Sequence, residues 1–250
     1  PRVAVSLGRA AVTYFTSRSG IAPSFFSTSA RIAAACSTPL EGGIVATSNS
    51  GVRHSNQQYA IHRGQHRFGW WWALHAVHHS QRQMTLWSDN RNHLLDDVLR
   101  DTILVVVAQL IGVAPGQFIA IVAITQLSES FQHANVRLWF GRWGERLWIS
   151  PRFHRLHHSI GIGHETVKPL SGEAAAAQGA RYRVVLGGHN FGVLLPWWDM
   201  LMRTANFELR FDPTGVRDQV EPGPDGRLRD YGRGFWSQQW RGVLRLLGKA

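Results

Sequence analysis

The chain reads as an all-α protein, a membrane-associated helical bundle arranged around a histidine-rich dimetal site. Three observations lead there. Histidines recur at helical spacing in three places, a charge-free apolar window is split at its centre by Pro115-Gly116, and eleven tryptophans stand in a chain of 250 residues with a net charge of +11. That length can bury one sizeable core, and a single organising site argues for one domain. Cys36 is the sole cysteine, which excludes a disulfide framework and cysteine-rich zinc or iron–sulfur sites. A metal here must be held by histidine and carboxylate. The basic charge suits nucleic acid, an anionic membrane face or an acidic redox partner. The aromatics do not alternate with basic residues as a stacking platform requires, and no base-reading motif is present, so no nucleic-acid partner is expected. Indoles collect at the headgroup level of a bilayer, which favours a membrane.

Residues 1–57 differ from the rest. They are rich in Ser, Ala, Gly and Arg, carry Glu41 as their only acid and show no sustained period. They are expected to form a poorly ordered leader or a transit-type segment, with His54 a solvated histidine.

From Gln57 to Ser80 the pattern is a near-continuous helix. His62 and His66 stand at i and i+4, and His75, His78 and His79 at i, i+3 and i+4, so each set projects from one face. Arg63 and Arg67 take the opposite face. The Trp70–Trp72 run fits a bilayer anchor and a core aromatic run equally. In the polar stretch that follows, His93 falls outside the paired spacings. Asp96 and Asp97 could orient ligand histidines through the second ring nitrogen, and a helix-capping or solvated role is equally open to either.

Thr102 to Leu127 carries no charge, and its two halves are each too short to span a bilayer alone. The expected form is a re-entrant or hairpin pair of apolar helices dipping into one leaflet. A buried hairpin in a soluble protein is the alternative. The second helix runs on into SESFQHANVRLW, placing Glu129 and His133 one turn apart. His133 is a ninth candidate ligand, and Glu129 a carboxylate to ligate or orient it.

Pro151 begins a further helix that carries His154, His157 and His158, the same i, i+3, i+4 set. The segment GIGHETVKPLSGEAAAAQGARYR has loop composition. GGHNFGVLLPWWDMLMRT then reads as a turn packing back on the site. His189 in it is a tenth ligand or a substrate-side donor, and Asn190 a supporting residue. Residues 205–250 form a polar, basic tail whose end, FWSQQWRGVLRLLGK, is amphipathic and suits a membrane-surface helix.

Imidazole suits Fe, Zn, Cu and Ni, so spacing alone does not choose the metal. The number of ligands says more. A closed structural zinc needs four, whereas eight or nine histidines are enough for two metals. Two zincs would serve hydrolysis, and two irons oxygen chemistry.

HRGQH, LHAVHHS and HRLHH in this order, the apolar hairpin between the second and third, and the closing NFGVLLPWWDMLMRT together resemble the fatty acid hydroxylase / sterol desaturase superfamily of integral membrane proteins. The resemblance spans residues 58–204, the expected catalytic domain. It implies two Fe on the cytosolic side, with Zn as a mismetallation product, and O2 as co-substrate. It implies hydroxylation or desaturation of a C–H bond of a lipid or sterol. Ligand roles carry over to His62, His66, His75, His78, His79, His154, His157 and His158, with His133 as the additional single ligand. Related sequences can carry a histidine where Glu129 stands.

No flavin, haem or nicotinamide fingerprint is present, so electrons are expected from an acidic carrier of cytochrome b5 or ferredoxin type, docked on the basic surface. Residues 1–57 offer no credible membrane span, whereas relatives carry spans ahead of the first histidine box. A catalytically inactive metal-binding membrane protein is therefore the main alternative, and a dizinc hydrolase the third reading.

Overall fold

The computed structural model describes residues 40–169, 182–223 and 225–249. The leader up to residue 39 lies outside them. Eight helices and one two-stranded sheet occur among the described residues. They are α1 (Leu40–Arg67), α2 (Gly69–His79), α3 (Leu94–Leu110), α4 (Pro115–Gln132), α5 (Gly141–Gly144), α6 (Pro151–His157), β1 (Glu165–Pro169), β2 (Tyr182–Leu186), α7 (Trp197–Leu201) and α8 (Phe235–Leu246).

Helix α1 begins at Leu40, well ahead of the boundary near residue 57 that composition suggested. Its residues His54, Ser55, Gln58 and Tyr59 are buried, and the His54 ring lies 6.2 Å from that of Phe118 in α4. The expectation of a solvated His54 is therefore wrong. Packing against α4 supplies the helical stability that this Gly- and Ser-rich stretch lacks intrinsically.

The expected continuous helix over residues 57–80 is broken. Phe68 is extended (φ −100°, ψ 119°), and its carbonyl accepts from Trp71 N at 2.9 Å and Trp72 N at 2.8 Å, starting α2 afresh. The break folds α2 back on α1, so both histidine sets face one interior. The Trp70–Trp72 run divides by position. Trp71 is buried with Ile61 and Leu104, whereas Trp70 is half exposed.

Helices α3 and α4 realise the expected helix pair. Gly112, at φ +75°, turns the chain between them, and Pro115 opens α4, where its missing N–H costs no helical hydrogen bond. Both rest on α1 and leave an apolar surface open, including Val98, Val105, Leu110, Ile119, Ile124 and Leu127. Among the described residues no helix is long and apolar enough to cross a membrane. His93 is buried as the N-cap of α3: its Nδ1 accepts from Leu95 N, and its Nε2 lies 2.8 Å from the Gln239 carbonyl in α8.

The all-α expectation fails at one place. β1 and β2 pair antiparallel, with Glu165 opposite Leu186 and Pro169 opposite Tyr182, in the segment read as loop. Each strand has only five residues. A run that short shows no period, and its partner lies beyond a long connection.

The tail does more than trail. Ile160 N donates to the Pro213 carbonyl and Gly215 N to the His158 carbonyl, while Val216 and Tyr231 pack against Ala76 of α2. Helix α8 docks through Gln239, Gly242 and Arg245, whose Nε donates to the Ala73 carbonyl, and leaves Trp236 and Trp240 exposed.

Candidate metal centre

Nine histidines from three helices, α1, α2 and α6, and from the C-terminal end of a fourth, α4, converge in the interior. His62, His66, His75 and His79 form one group and His78, His133, His154 and His158 a second. His79, His157 and His158 form a third that shares a member with each. All are buried. The helical period accounts for the division. Residues at i and i+4 are about 40° apart around a helix axis, whereas i+3 lies about 60° to the other side. His75 and His79 therefore serve one group and His78 the other. In α6 the same offset sends His154 and His158 to the second group and turns His157 toward His62 and His66, with ring centroids 4.4 and 4.7 Å away.

Four of the rings are oriented through Nδ1. His62 donates to the Phe191 carbonyl at 2.9 Å, His75 to Asp96 Oδ2 at 2.9 Å, His133 to the Glu129 carbonyl at 2.8 Å and His157 to the His189 carbonyl at 2.7 Å. Each bond puts the proton on Nδ1 and leaves a lone pair on Nε2. In the second group, His133 Nε2 lies 3.1 Å from His78 Nε2, 3.1 Å from His154 Nε2 and 3.2 Å from His158 Nε2. One lone pair can accept only one proton, so hydrogen bonding cannot satisfy all three contacts. Two ligand nitrogens about 2.1 Å from one ion and about 90–110° apart lie about 3.0–3.4 Å from each other, which is this spacing. The Nε2 atoms of His75 and His157 are buried and have no partner among the described residues. Burial pushes His62 down to about 3 and holds His66, His78, His79, His154, His157 and His158 well below the usual imidazole range, so protons do not occupy these lone pairs. The donor set fits two cations bound by neutral nitrogen.

Supporting groups hold this arrangement. Asp96 is buried and accepts three donors: His75 Nδ1, Gln65 Nε2 at 2.8 Å and Trp71 Nε1 at 2.7 Å. Burial works to raise its carboxyl, but His75 and these hydrogen bonds outweigh it and hold the group below its ordinary value. Asp199, also buried, accepts from Phe191 N at 2.9 Å, Gly192 N at 2.6 Å and Thr204 Oγ1 at 2.7 Å, which fixes the loop whose carbonyl holds His62. Asn190 sits at φ +62°. Its amide donates to the Phe153 and Asn206 carbonyls and its Oδ1 accepts from Asn206 N at 2.6 Å, so it shapes this loop and touches no ring nitrogen of the groups.

Three candidate side chains stand outside the histidine groups. Asp97 pairs with Arg100 at 3.1 Å rather than with a histidine, because it faces away from α2 on the helix that Asp96 shares. Glu129 meets His133 through its backbone carbonyl, and its carboxylate belongs to none of the histidine groups; the helix ends at Gln132, so His133 folds back over the last turn. His189 likewise contributes its carbonyl, and its ring joins none of the groups. Sequence reasoning missed backbone acceptors altogether, since every residue has one. It also missed Asp89, 3.7 Å from His133 Nδ1, and Gln65, which lies three residues past His62 and one before His66.

Comparison with known proteins decides the family. The fatty acid hydroxylase model matches residues 52–204. The chain belongs to the fatty acid hydroxylase family. An ornithine lipid hydroxylase of Rhizobium tropici, OlsE, is 26% identical over 167 residues, covering 66% of this chain and 44% of that protein. The chain thus spans under half the length of this relative. No solved structure matches it.

Proposed function

We propose that this member of the fatty acid hydroxylase family is an iron-dependent, O2-using enzyme that hydroxylates a C–H bond of a lipid. The observation that carries the reading is the pair of four-histidine groups sharing neighbours through His79, His157 and His158. Neutral imidazole is a suitable donor for iron, and two adjacent metals suit oxygen chemistry better than a closed structural site. The metals supply, with O2 and two electrons, an oxidant that no side chain can provide.

The chain's own residues bind and orient. Asp96 and the carbonyls of Phe191, Glu129 and His189 keep the Nδ1 protons of four ligands in place. Phe153 and Leu156 on α6 and Ile149 just ahead of it are fully buried apolar side chains, which keeps water from this helix. The open apolar faces of α3 and α4 would rest in a bilayer and admit the acyl part of the substrate, with the metal centre on the cytosolic side. The R. tropici relative's name makes an amino-acid lipid the first substrate to try. An acidic electron carrier would dock on the basic surface, and its rate of electron delivery should fall with ionic strength. The dizinc hydrolase reading is less well supported, because the Glu129 carboxylate belongs to neither group and lines a separate cavity with Arg100 and Asp101.

Metal analysis of the detergent-purified protein, with optical spectra before and after anaerobic reduction and O2 exposure, tests the reading. About two irons per chain that respond to O2, together with a lipid gaining one oxygen atom in cells expressing the protein, are the expected results. A protein that after iron reconstitution binds metal but consumes no O2 would overturn it in favour of an inactive metal-binding member.

A further inference from the structure

A cavity of about 250 Å3 opens one aromatic layer away from the first histidine group. The layer is Trp72, whose ring lies 5.0 Å from His66 and 5.3 Å from His79, and which stacks on His164 at 5.1 Å. His164 is 1% exposed, and neither ring nitrogen has a partner among the described residues. A neutral imidazole carries one N–H and one lone pair, and burying both without partners is costly unless something fills the space. His164 belongs to neither four-histidine group, so the metal reading does not account for it.

The rim has a definite charge. Glu165, Asp218 and Glu221 line the cavity against one guanidinium, Arg217, in a chain whose net charge is +11. That guanidinium is already engaged, 2.7 Å from Glu165 and 2.8 Å from Glu221. Among the described residues the Asp218 carboxylate accepts from the Tyr231 hydroxyl, at 3.0 and 3.2 Å, with the charges of Arg245 and Arg229 acting on it from farther off. An anion would be repelled here. A divalent metal would need clustered carboxylate oxygens, whereas Arg217 stands between Glu165 and Glu221, and no such cluster forms among the described residues. An indole face, an unused imidazole lone pair and excess carboxylate together suit an alkylammonium, which has three N–H donors and is attracted to the indole quadrupole.

We propose that this cavity binds a primary ammonium group carried by the polar head of the lipid substrate. The head-group assignment rests on the lipid-hydroxylase reading; ammonium binding itself does not. The cavity would then select amine-headed lipids and hold the head beside the metal centre.

Calorimetric titration of the metal-loaded full chain in detergent with n-butylammonium chloride, and with n-butanol as the neutral control, tests the binding. Saturable binding of the ammonium alone is expected. Glu221→Gln, at an exposed side chain that leaves the fold intact, should weaken it about threefold, and His164→Phe about tenfold with the metal content unchanged. Equal binding of butanol, or unchanged affinity in both variants, would mean that the cavity holds ordered water only. Sphinganine, an amine-headed lipid without phosphate, should displace butylammonium, and its N-acetylated form should not. Butylammonium binding that this lipid fails to displace would overturn the head-group assignment in favour of a free amine. Ammonium binding in a protein that hydroxylates no lipid would count against the enzymatic reading alone.

Discussion

Replacing Asp96 with Asn separates metal binding from folding. The carboxylate takes Gln65 Nε2 and Trp71 Nε1 on Oδ1 and His75 Nδ1 on Oδ2. An amide of the same shape has one acceptor atom. With its oxygen kept toward Gln65 and Trp71, its NH2 points at His75 and favours the tautomer protonated on Nε2, the atom that faces the first group. With the amide turned over, two buried donors lose their partner. Loss of such an orienting group costs about 10–100-fold in metal affinity, or about 1.4–2.8 kcal/mol. The lost hydrogen bonds to a charged group, about 1.5–3 kcal/mol, are partly offset because the buried charge disappears as well. Metal content should therefore fall from two toward one per chain in chelator competition, while the thermal midpoint of the metal-free protein drops by only a few degrees. Gln65→Leu leaves the His75 bond in place and should spare metal affinity. An Asn variant that keeps both metals at parental affinity would refute the orienting role of Asp96.

Other outcomes follow from the same geometry. His154→Ala removes a member of the second group alone and should leave one metal bound, whereas His157→Ala, beside both groups, should weaken both; elemental analysis distinguishes them. In the metal-free protein, burial depresses seven of the imidazoles, His62 to about 3, while in the unfolded chain they titrate near 6.5. Below pH 6.5 the unfolded state takes up protons that the fold refuses, so stability is present above that pH and is lost as pH falls, by about 1.4 kcal/mol per pH unit for each such group. Denaturant titrations from pH 8 to 5 should show a steep decline beginning near 6.5, and a flat profile would contradict these depressed values. Gly163→Ala would drive a Cβ into the His157 carbonyl, displacing a ligand helix, and should abolish metal loading in whatever folded protein is recovered. Gly242→Ala would place a Cβ 2.6 Å from His93 Nε2 and should free α8 from α3, raising protease cleavage near the C-terminus while metal content holds.

Much of the candidate site was legible because its ligands are locally encoded. The spacing of His75, His78 and His79, and of His154, His157 and His158, needs only the helical period, and Pro151 marks its own helix start, where Ser150 accepts from Phe153 N at 3.1 Å. Elements held by partners far along the chain were not legible. The stretch of α1 around His54 packs against Phe118 of α4, and the short strands exist through their pairing with each other. Composition carries no trace of either partner.

The sequence by itself determined the family, the chemical identity of the nine histidines and the paired apolar helices, since all three rest on residue type and near-neighbour spacing. Only the tertiary structure decided which histidines share a group. It also placed Asp96, Phe191, Glu129 and His189 behind four of them, and set Asp97, the Glu129 carboxylate and the His189 ring apart. The physical reason is that a ligand's donor atom is a local property, whereas its direction depends on an acceptor from another element. Three of those four acceptors are backbone carbonyls, which no side chain advertises.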